Sequence, residues 1–356
     1  MPPGNFLVSL QTFSGTDVSD YEKIREQNLR NWFIISLMNI FRKLLLTITG
    51  LLAALVSMGQ QEPQFSHNMF NHMGVNPGFA GLSNAICATG LARQQWVGFK
   101  DAEGNRVSPE SYLISVDATV PVLRGGLGLS VMQDKLGFYT INDVQLGYSY
   151  HRRLGDARLG IGLQINFINS ILDAGKFLAV DETDPVLRNL GGSEASNMMF
   201  DLNLGLFYQV PGQYYLGLSS TRLLQSSKEF DNAAGAYVNF RRHYFLSGGF
   251  QFDLPGNPAY EVMPSVFIKS DGASIQYDFN TLVMYNQRVW GGLSYRHQDA
   301  IVLMVGLSYN EMRIGYSYDV PLSAVGASGS HEIMINYCFK LELEQIRRSF
   351  RNTRFL

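Results

Sequence analysis

Apolar and polar residues alternate with a period of two through most of this chain, and Ala300–Phe339 carries the pattern most clearly. Ile301, Leu303, Val305, Leu307 and Tyr309 alternate with Val302, Met304, Gly306 and Ser308. After a short turn, Met312, Ile314, Tyr316 and Tyr318 alternate with Arg313, Gly315, Ser317 and Asp319. A Gly/Ser-rich loop follows, then Ile333, Ile335, Tyr337 and Phe339 alternate with Glu332, Met334, Asn336 and Cys338. Such alternation predicts strands with two unlike faces. Upstream, Leu159, Ile161, Leu163, Ile165 and Phe167 share a face opposite Gly160, Gly162, Gln164 and Asn166. Fourteen strands are predicted, near 85–99, 109–121, 125–133, 140–152, 157–170, 198–210, 213–221, 240–254, 260–269, 273–283, 288–296, 300–309, 311–319 and 331–340.

The connections sort by size. Those after even-numbered strands are all short: PVLRG, RLGDA, VPG, DLPGNP, VMYNQ and YNE. Those after odd-numbered strands include the long Ile171–Asn197 and Arg222–Asn239, although Ser270–Gly272 and His297–Asp299 break the trend. Short turns on one side and longer loops on the other are the asymmetry of an outer-membrane barrel. The expected fold is therefore all-β: an integral outer-membrane antiparallel β-barrel of about 14 strands spanning 85–340, with both termini periplasmic. No spanning helix is visible in the body, so closure is how this backbone would be satisfied in lipid. The competing architecture is a secreted β-sandwich, with the polar faces outside and the apolar faces paired in a core.

The ends read differently. Residues 1–37 precede a second methionine and are expected to be an over-extended start. From Met38, basic Arg42 and Lys43, an apolar core from Leu44 to Val56, and the small Ser57 and Gly59 give 38–59 the layout of a secretory signal peptide. The apolar run is shorter than the roughly 20 residues a spanning helix needs. Residues 60–84 are rich in Asn, Pro and Gly without a clean period, and are expected to form a periplasmic lead-in or plug. Their candidate partner-binding residues are Gln64, Phe65, Ser66, Met69, Phe70, Asn71, Asn76, Pro77 and Phe79. The tail 341–356 is basic and is either a solvated periplasmic extension or a docking peptide, with Arg347, Arg348 and Arg351 as its candidate contacts.

Composition narrows the picture. Charged residues make up only 16% and aromatics 12%, with 35 Gly, 18 Tyr and 23 Phe, which suits strands in lipid better than helices. The net charge of -2 argues against a nucleic-acid partner. Two cysteines exclude a multi-bridge scaffold or a four-cysteine zinc site. Cys87 and Cys338 lie toward the meeting ends of the first and last strands, so a seam disulfide is available, but two free thiols are the simpler expectation.

Arg93, Asp117, Asp201, Asp278, Arg296, Arg313, Asp319 and Glu332 fall on the polar face, as does Asp253. Buried charges must be paired or hydrated. They are expected to form a lumenal network that stiffens the barrel, the sharper alternative being a selective pore lining. No Gly-x-Ser-x-Gly elbow is visible. His331-Glu332 lacks a second His at helical spacing, and the other histidines are scattered. The acidic loop Asp181-Glu182-Thr183-Asp184 has no EF-hand pattern. No catalytic residue, metal or cofactor is expected.

Several segments, taken together and in order, resemble the PorP/SprF family of the type IX secretion system. They are Pro63-Gln64-Phe65-Ser66, Met69-Phe70-Asn71, Asn76-Pro77-Gly78-Phe79-Ala80-Gly81 and Arg93-Gln94-Gln95-Trp96-Val97-Gly98, then Trp290-x-Gly292-x-Ser294-Tyr295-Arg296, Gly315-Tyr316-Ser317-Tyr318-Asp319 and Ser330-His331-Glu332-Ile333. The likeness covers about residues 62–340, with His67-Asn68 and His72-Met73 departing from the usual lead motif. It implies a non-enzymatic outer-membrane barrel of Bacteroidota. Such a barrel works with the periplasmic ring or translocon of type IX secretion, or with a secreted surface adhesin or cargo of the gliding type. The alternative function is a passive or fatty-acid-type outer-membrane channel, because both readings share a polar lumen.

Overall fold

Seventeen strands are present in the computed structural model, which describes residues 62–101, 104–173, 194–230, 237–322 and 328–340. The expected over-extended start, the signal peptide, the acidic loop 181–184 and the basic tail with Arg347, Arg348 and Arg351 lie outside these residues. The strands are β1 (Ala85–Gln94), β2 (Glu110–Val120), β3 (Gly125–Leu136), β4 (Tyr139–Leu154), β5 (Ala157–Asp173), β6 (Glu194–Val210) and β7 (Tyr214–Thr221). They continue as β8 (Ser227–Glu229), β9 (Tyr237–Asn239), β10 (His243–Phe250), β11 (Phe252–Leu254), β12 (Asn257–Ser270) and β13 (Ile275–Tyr285). The last four are β14 (Val289–Arg296), β15 (Ala300–Tyr309), β16 (Met312–Pro321) and β17 (Ser330–Lys340).

Each wall strand pairs antiparallel with its sequence neighbour, and β1 pairs with β17 over Ala85↔Lys340 to Gln94↔His331, which closes the sheet. The β10–β12 pairing completes the circle on the far side. β10 and β11 are one wall strand interrupted at Gln251, and β8–β9 form a separate hairpin. The result is a closed barrel of fourteen antiparallel strands, as the alternation predicts. Closure leaves no open edge for backbone groups in lipid.

The faces are those of a membrane barrel and not of a sandwich. On β5, Ile161 (47%), Leu163 (47%) and Phe167 (44%) are exposed outward, whereas Gln164 (1%), Asn166 (0%) and Ser170 (0%) are enclosed. Apolar outside and polar inside is stable only where the outer solvent is hydrocarbon.

Three boundaries differ from the sequence pattern. β1 ends at Gln94 because Trp96 (φ 50) and Gly98 (φ 86) turn the chain away. β5 and β6 run on to Asp173 and from Glu194, which shortens the predicted loop between them. The predicted Arg222–Asn239 loop contains the β8–β9 hairpin. Phe230, just past β8, and Val238 on β9 pack on Ile168, Ala195 and Met199, on the lumen side of β5 and β6, so the hairpin leans over the long-loop mouth.

Even strand number puts Ala85 and Lys340 at the same, short-turn end. It does not constrain what precedes β1. Glu62 contacts Thr221, Arg222 and Lys269, all at the long-loop ends of their strands. The lead-in therefore enters at the long-loop end of the lumen and descends to the short-turn end before β1 begins.

Candidate functional site

The lumen is occupied by the chain's own residues 62–84, fixed at three levels. At the top, Glu62 pairs with Arg222 at 3.3 Å, and Arg222 also reaches Asp143 at 2.7 Å. Lys269 Nζ donates to the Glu62 carbonyl at 3.2 Å. Asp143 and Arg222 are nearly inaccessible. The sequence reading left both out, although Asp143 shares the inward parity of Gln145 and could have been found from it.

Just below lies the main charge cluster. Glu332 accepts from the backbone N–H of Ser66 (2.7 Å) and His67 (2.9 Å) and lies 2.7 Å from His67 Nδ1. Arg93 donates to Asp319 at 2.8 Å, to Glu332 at 3.3 Å and to Ser66 Oγ at 2.8 Å. Arg296 reaches Asp319 at 3.1 Å and Asp278 at 3.4 Å, and Gln64 Nε2 donates to Asp278 at 2.6 Å. Strand parity places these side chains inward, and proximity to the long-loop ends of β1, β13, β14, β16 and β17 brings them to one height. Each buried charge has an opposite partner, the condition for burying it at tolerable cost. Every member of this cluster belongs to the lead-in or to the expected lumen set.

Four charges assigned to that set lie elsewhere. Asp117 accepts from Gly81 N at 2.9 Å, near the short-turn end. Asp201 accepts from Leu224 N at 2.9 Å and Ser226 N at 3.2 Å, so it caps the turn after β7. Arg313 lies 5.8 Å from the Phe70 ring centroid in the lower lumen. Asp253 is exposed on β11. Parity alone fixed their face; height along the strand separates them from the cluster.

In the middle, an apolar layer supports the lead-in. Phe65 packs with Leu91, Leu113, Leu282, Trp290 and Met334, and Met69 and Phe70 lean on the same cluster. His72 sits among Phe79, Phe207 and Tyr215, with ring centroids 4.6–5.1 Å away. That apolar surround lowers its pKa to about 4 by desolvation, so the ring is neutral at pH 7.

At the third level, Asn76-Pro77-Gly78 lies flat on the wall. Asn76 Nδ2 donates to the carbonyls of Leu206 (2.9 Å) and Leu218 (3.3 Å), while its Oδ1 accepts from Gly78 N at 2.9 Å. This contact requires bare backbone: a Cβ on Gly162 would overlap the Pro77 carbonyl, and one on Gly160 would overlap the Gly78 oxygen. Gly81 adopts φ 70, and a Cβ there would stand 2.6 Å from the Ala118 oxygen. Small inward residues on β5 and β6, Gly205 among them, thus match the Asn-Pro-Gly segment. The alternation shows those glycines but not what they accommodate.

Of the candidate partner-binding residues, Phe65, Ser66, Asn71, Asn76 and Pro77 are enclosed, and Gln64 is tied to Asp278. Met69, Phe70, Asn71 and Phe79 also line a cavity of about 590 Å³ toward the short-turn end, across from Glu261, Glu311 and Arg313. Cys87 and Cys338, directly opposite in the β1–β17 register, are bonded to each other. This corrects the expectation of free thiols: ring closure sets residues 251 apart in sequence side by side. Among the described residues no group of three or more His, Cys, Asp or Glu is placed to hold a metal.

A closed barrel with an apolar exterior and a polar, self-filled lumen is a multi-pass outer-membrane β-barrel protein. The chain belongs to the PorP/SprF family of type IX secretion system membrane proteins, whose family model matches residues 57–337. No curated protein matches it. Among solved structures it is similar to the toluene transporter TbuX of Ralstonia pickettii, at 13% identity over 80% of this chain and 96% of that one, with a TM-score of 0.45. A TodX deltaS2S3 mutant monoaromatic hydrocarbon channel shares 11% identity over 78% and 95%, with a TM-score of 0.41. Omp33 of Acinetobacter baumannii shares 6% over 72% and 98%, at 0.38.

Proposed function

We propose that this outer-membrane component of type IX secretion acts by binding other proteins, without catalysis and without an open pore. The observation that carries the reading is the lead-in itself, threaded through the lumen and held by Glu332, Asp319, Arg93 and Arg296. A transport channel needs a continuous water path, whereas here buried ion pairs fasten a polypeptide across it. With the short turns facing the periplasm, the cavity walled by Met69, Phe70, Asn71 and Phe79 faces the periplasmic ring or translocon. The tail 341–356, with Arg347, Arg348 and Arg351, follows β17 and is a docking segment for the same machinery. On this reading the long-loop end, with the β8–β9 hairpin, faces the secreted adhesin or cargo.

The test is a mild-detergent pull-down from native outer membranes, paired with planar-bilayer recordings on the purified barrel. Copurification of ring or translocon components and an electrically silent barrel are expected. Stable conductance with no copurifying machinery would replace this reading with the channel.

A further inference from the structure

The outer wall carries a feature that a uniform lipid-facing barrel would not have. Over β2 to β5 an apolar groove of about 530 Å³ is sunk into the exterior, lined by Ala118, Leu127, Leu129, Leu146, Tyr148 and Leu163. Its origin is in the register. Ala118, Leu127, Tyr148 and Leu163 stand side by side across four strands, so the small alanine begins the row. One step nearer the short turns, Gly125 has no side chain, and a Cβ there would stand 2.8 Å from the Tyr148 ring. The ring lies over that glycine, with its hydroxyl donating to the Leu123 carbonyl at 2.7 Å.

Below the groove the rim is basic. Arg124 is exposed in the β2–β3 turn, and Arg152 is exposed at the end of β4 on the outward side shared with Leu146 and Tyr148, whereas Arg153 stands opposite Arg158 on the lumen side. The Arg124 carbonyl accepts from His151 N at 2.9 Å, which holds that turn against the end of β4. Neither Arg124 nor Arg152 has an ion pair among the described residues, and Asp156 is the single carboxylate in the two adjoining turns. Val122, 92% exposed, projects from the same rim. Arg152 is four residues from Tyr148 and six from Leu146, so the groove begins about 13 Å from the charge and reaches about 20 Å along the strand. A hydrocarbon half-layer is roughly 15 Å thick.

We propose that this face binds an anionic glycerophospholipid, with one acyl chain in the groove and the phosphate on Arg124 and Arg152. The occupant is chosen by the pairing of the two features. A free anion would leave the groove unused, and a zwitterionic lipid would leave the unpaired guanidinium charge uncompensated. Arginine at a membrane interface donates several N–H groups to one phosphate, and the apolar groove supplies the contacts that distinguish a held lipid from an annular one.

Native mass spectrometry of the detergent-solubilised full chain tests it, with phosphatidylglycerol and phosphatidylethanolamine offered at equal concentration. The intact protein should retain phosphatidylglycerol in clear excess. The variant Arg152→Gln should lower that retention about fivefold, the factor for roughly 1 kcal/mol per arginine at an anionic surface. Arg124→Gln/Arg152→Gln should abolish the preference, Arg153→Gln on the lumen side should leave it unchanged, and Ala118→Phe, which fills the groove, should lower retention of both lipids. Heat-modifiable migration on a gel verifies that each variant is a folded barrel. Equal retention of the two lipids by the intact protein would overturn the proposal without any variant. So would displacement of the lipid by inorganic phosphate, or Arg124 and Arg152 variants that retain phosphatidylglycerol as well as the intact chain.

Discussion

Replacing Glu332 by alanine should release the upper lead-in while leaving the barrel closed. The side chain is fully enclosed and takes the N–H groups of Ser66 and His67, the His67 ring at 2.7 Å and the Arg93 guanidinium at 3.3 Å. Its removal orphans two buried backbone donors, each worth about 1–3 kcal/mol. Breaking a buried pair by deleting one partner costs about 3–5 kcal/mol. Arg93 keeps Asp319 at 2.8 Å, so the lower end of that range applies. About 3 kcal/mol corresponds to a roughly 100-fold shift in the balance between seated and unseated lead-in. The wall register does not use this side chain, since Glu332 pairs with Arg93 and Ser317 through the backbone ladder. Hydrogen exchange read peptide by peptide is the assay. Amides of Ser66 and His67 should exchange about 100-fold faster in the Glu332→Ala variant, with β1 and β17 unchanged. Glu332→Gln, which keeps an acceptor, should fall between. Exchange at Ser66–His67 within about threefold of the unsubstituted protein would refute the latch.

Three further outcomes are expected. Gly162→Val should unseat Asn76-Pro77-Gly78 by overlap with Pro77, giving protease cleavage within 70–84 while the barrel still migrates as folded; a resistant segment would contradict the seat. Thiol titration of denatured, unreduced protein should find no free thiol, and reduction should lower the denaturation midpoint by an amount equivalent to about 2–4 kcal/mol. For His72, whose pKa is lowered to about 4, the neutral ring's contribution is complete above the unfolded value near 6.5. That contribution is lost as pH falls toward 4, so lead-in protection should weaken over this window and His72→Phe should flatten the profile.

Much of the architecture is legible in the chain because strand parity is a local property. Leu159, Ile161 and Leu163 against Gly160, Gly162 and Gln164 state which face is which, and the short turns state where each strand reverses. The inward parity of Arg93, Asp278, Arg296, Asp319 and Glu332 is readable in the same way. Height around a closed wall is not. Asp117 and Asp319 share a face by pattern, yet one accepts from Gly81 and the other from Arg93.

The sequence by itself determined the strands of Ala300–Phe339 and their counterparts, the inward and outward sides and, through its ordered motifs, the family. Only the tertiary structure decided that Cys87 meets Cys338, that Asn76-Pro77-Gly78 lies on Gly160 and Gly162, and that residues 62–84 run down the lumen. The physical reason is that alternation follows from each residue's own backbone geometry, which neighbours in sequence share. Closure and plugging join positions far apart in sequence, 251 residues at the cysteine seam, and their partners are chosen by space, charge and hydrogen bonding inside the finished ring.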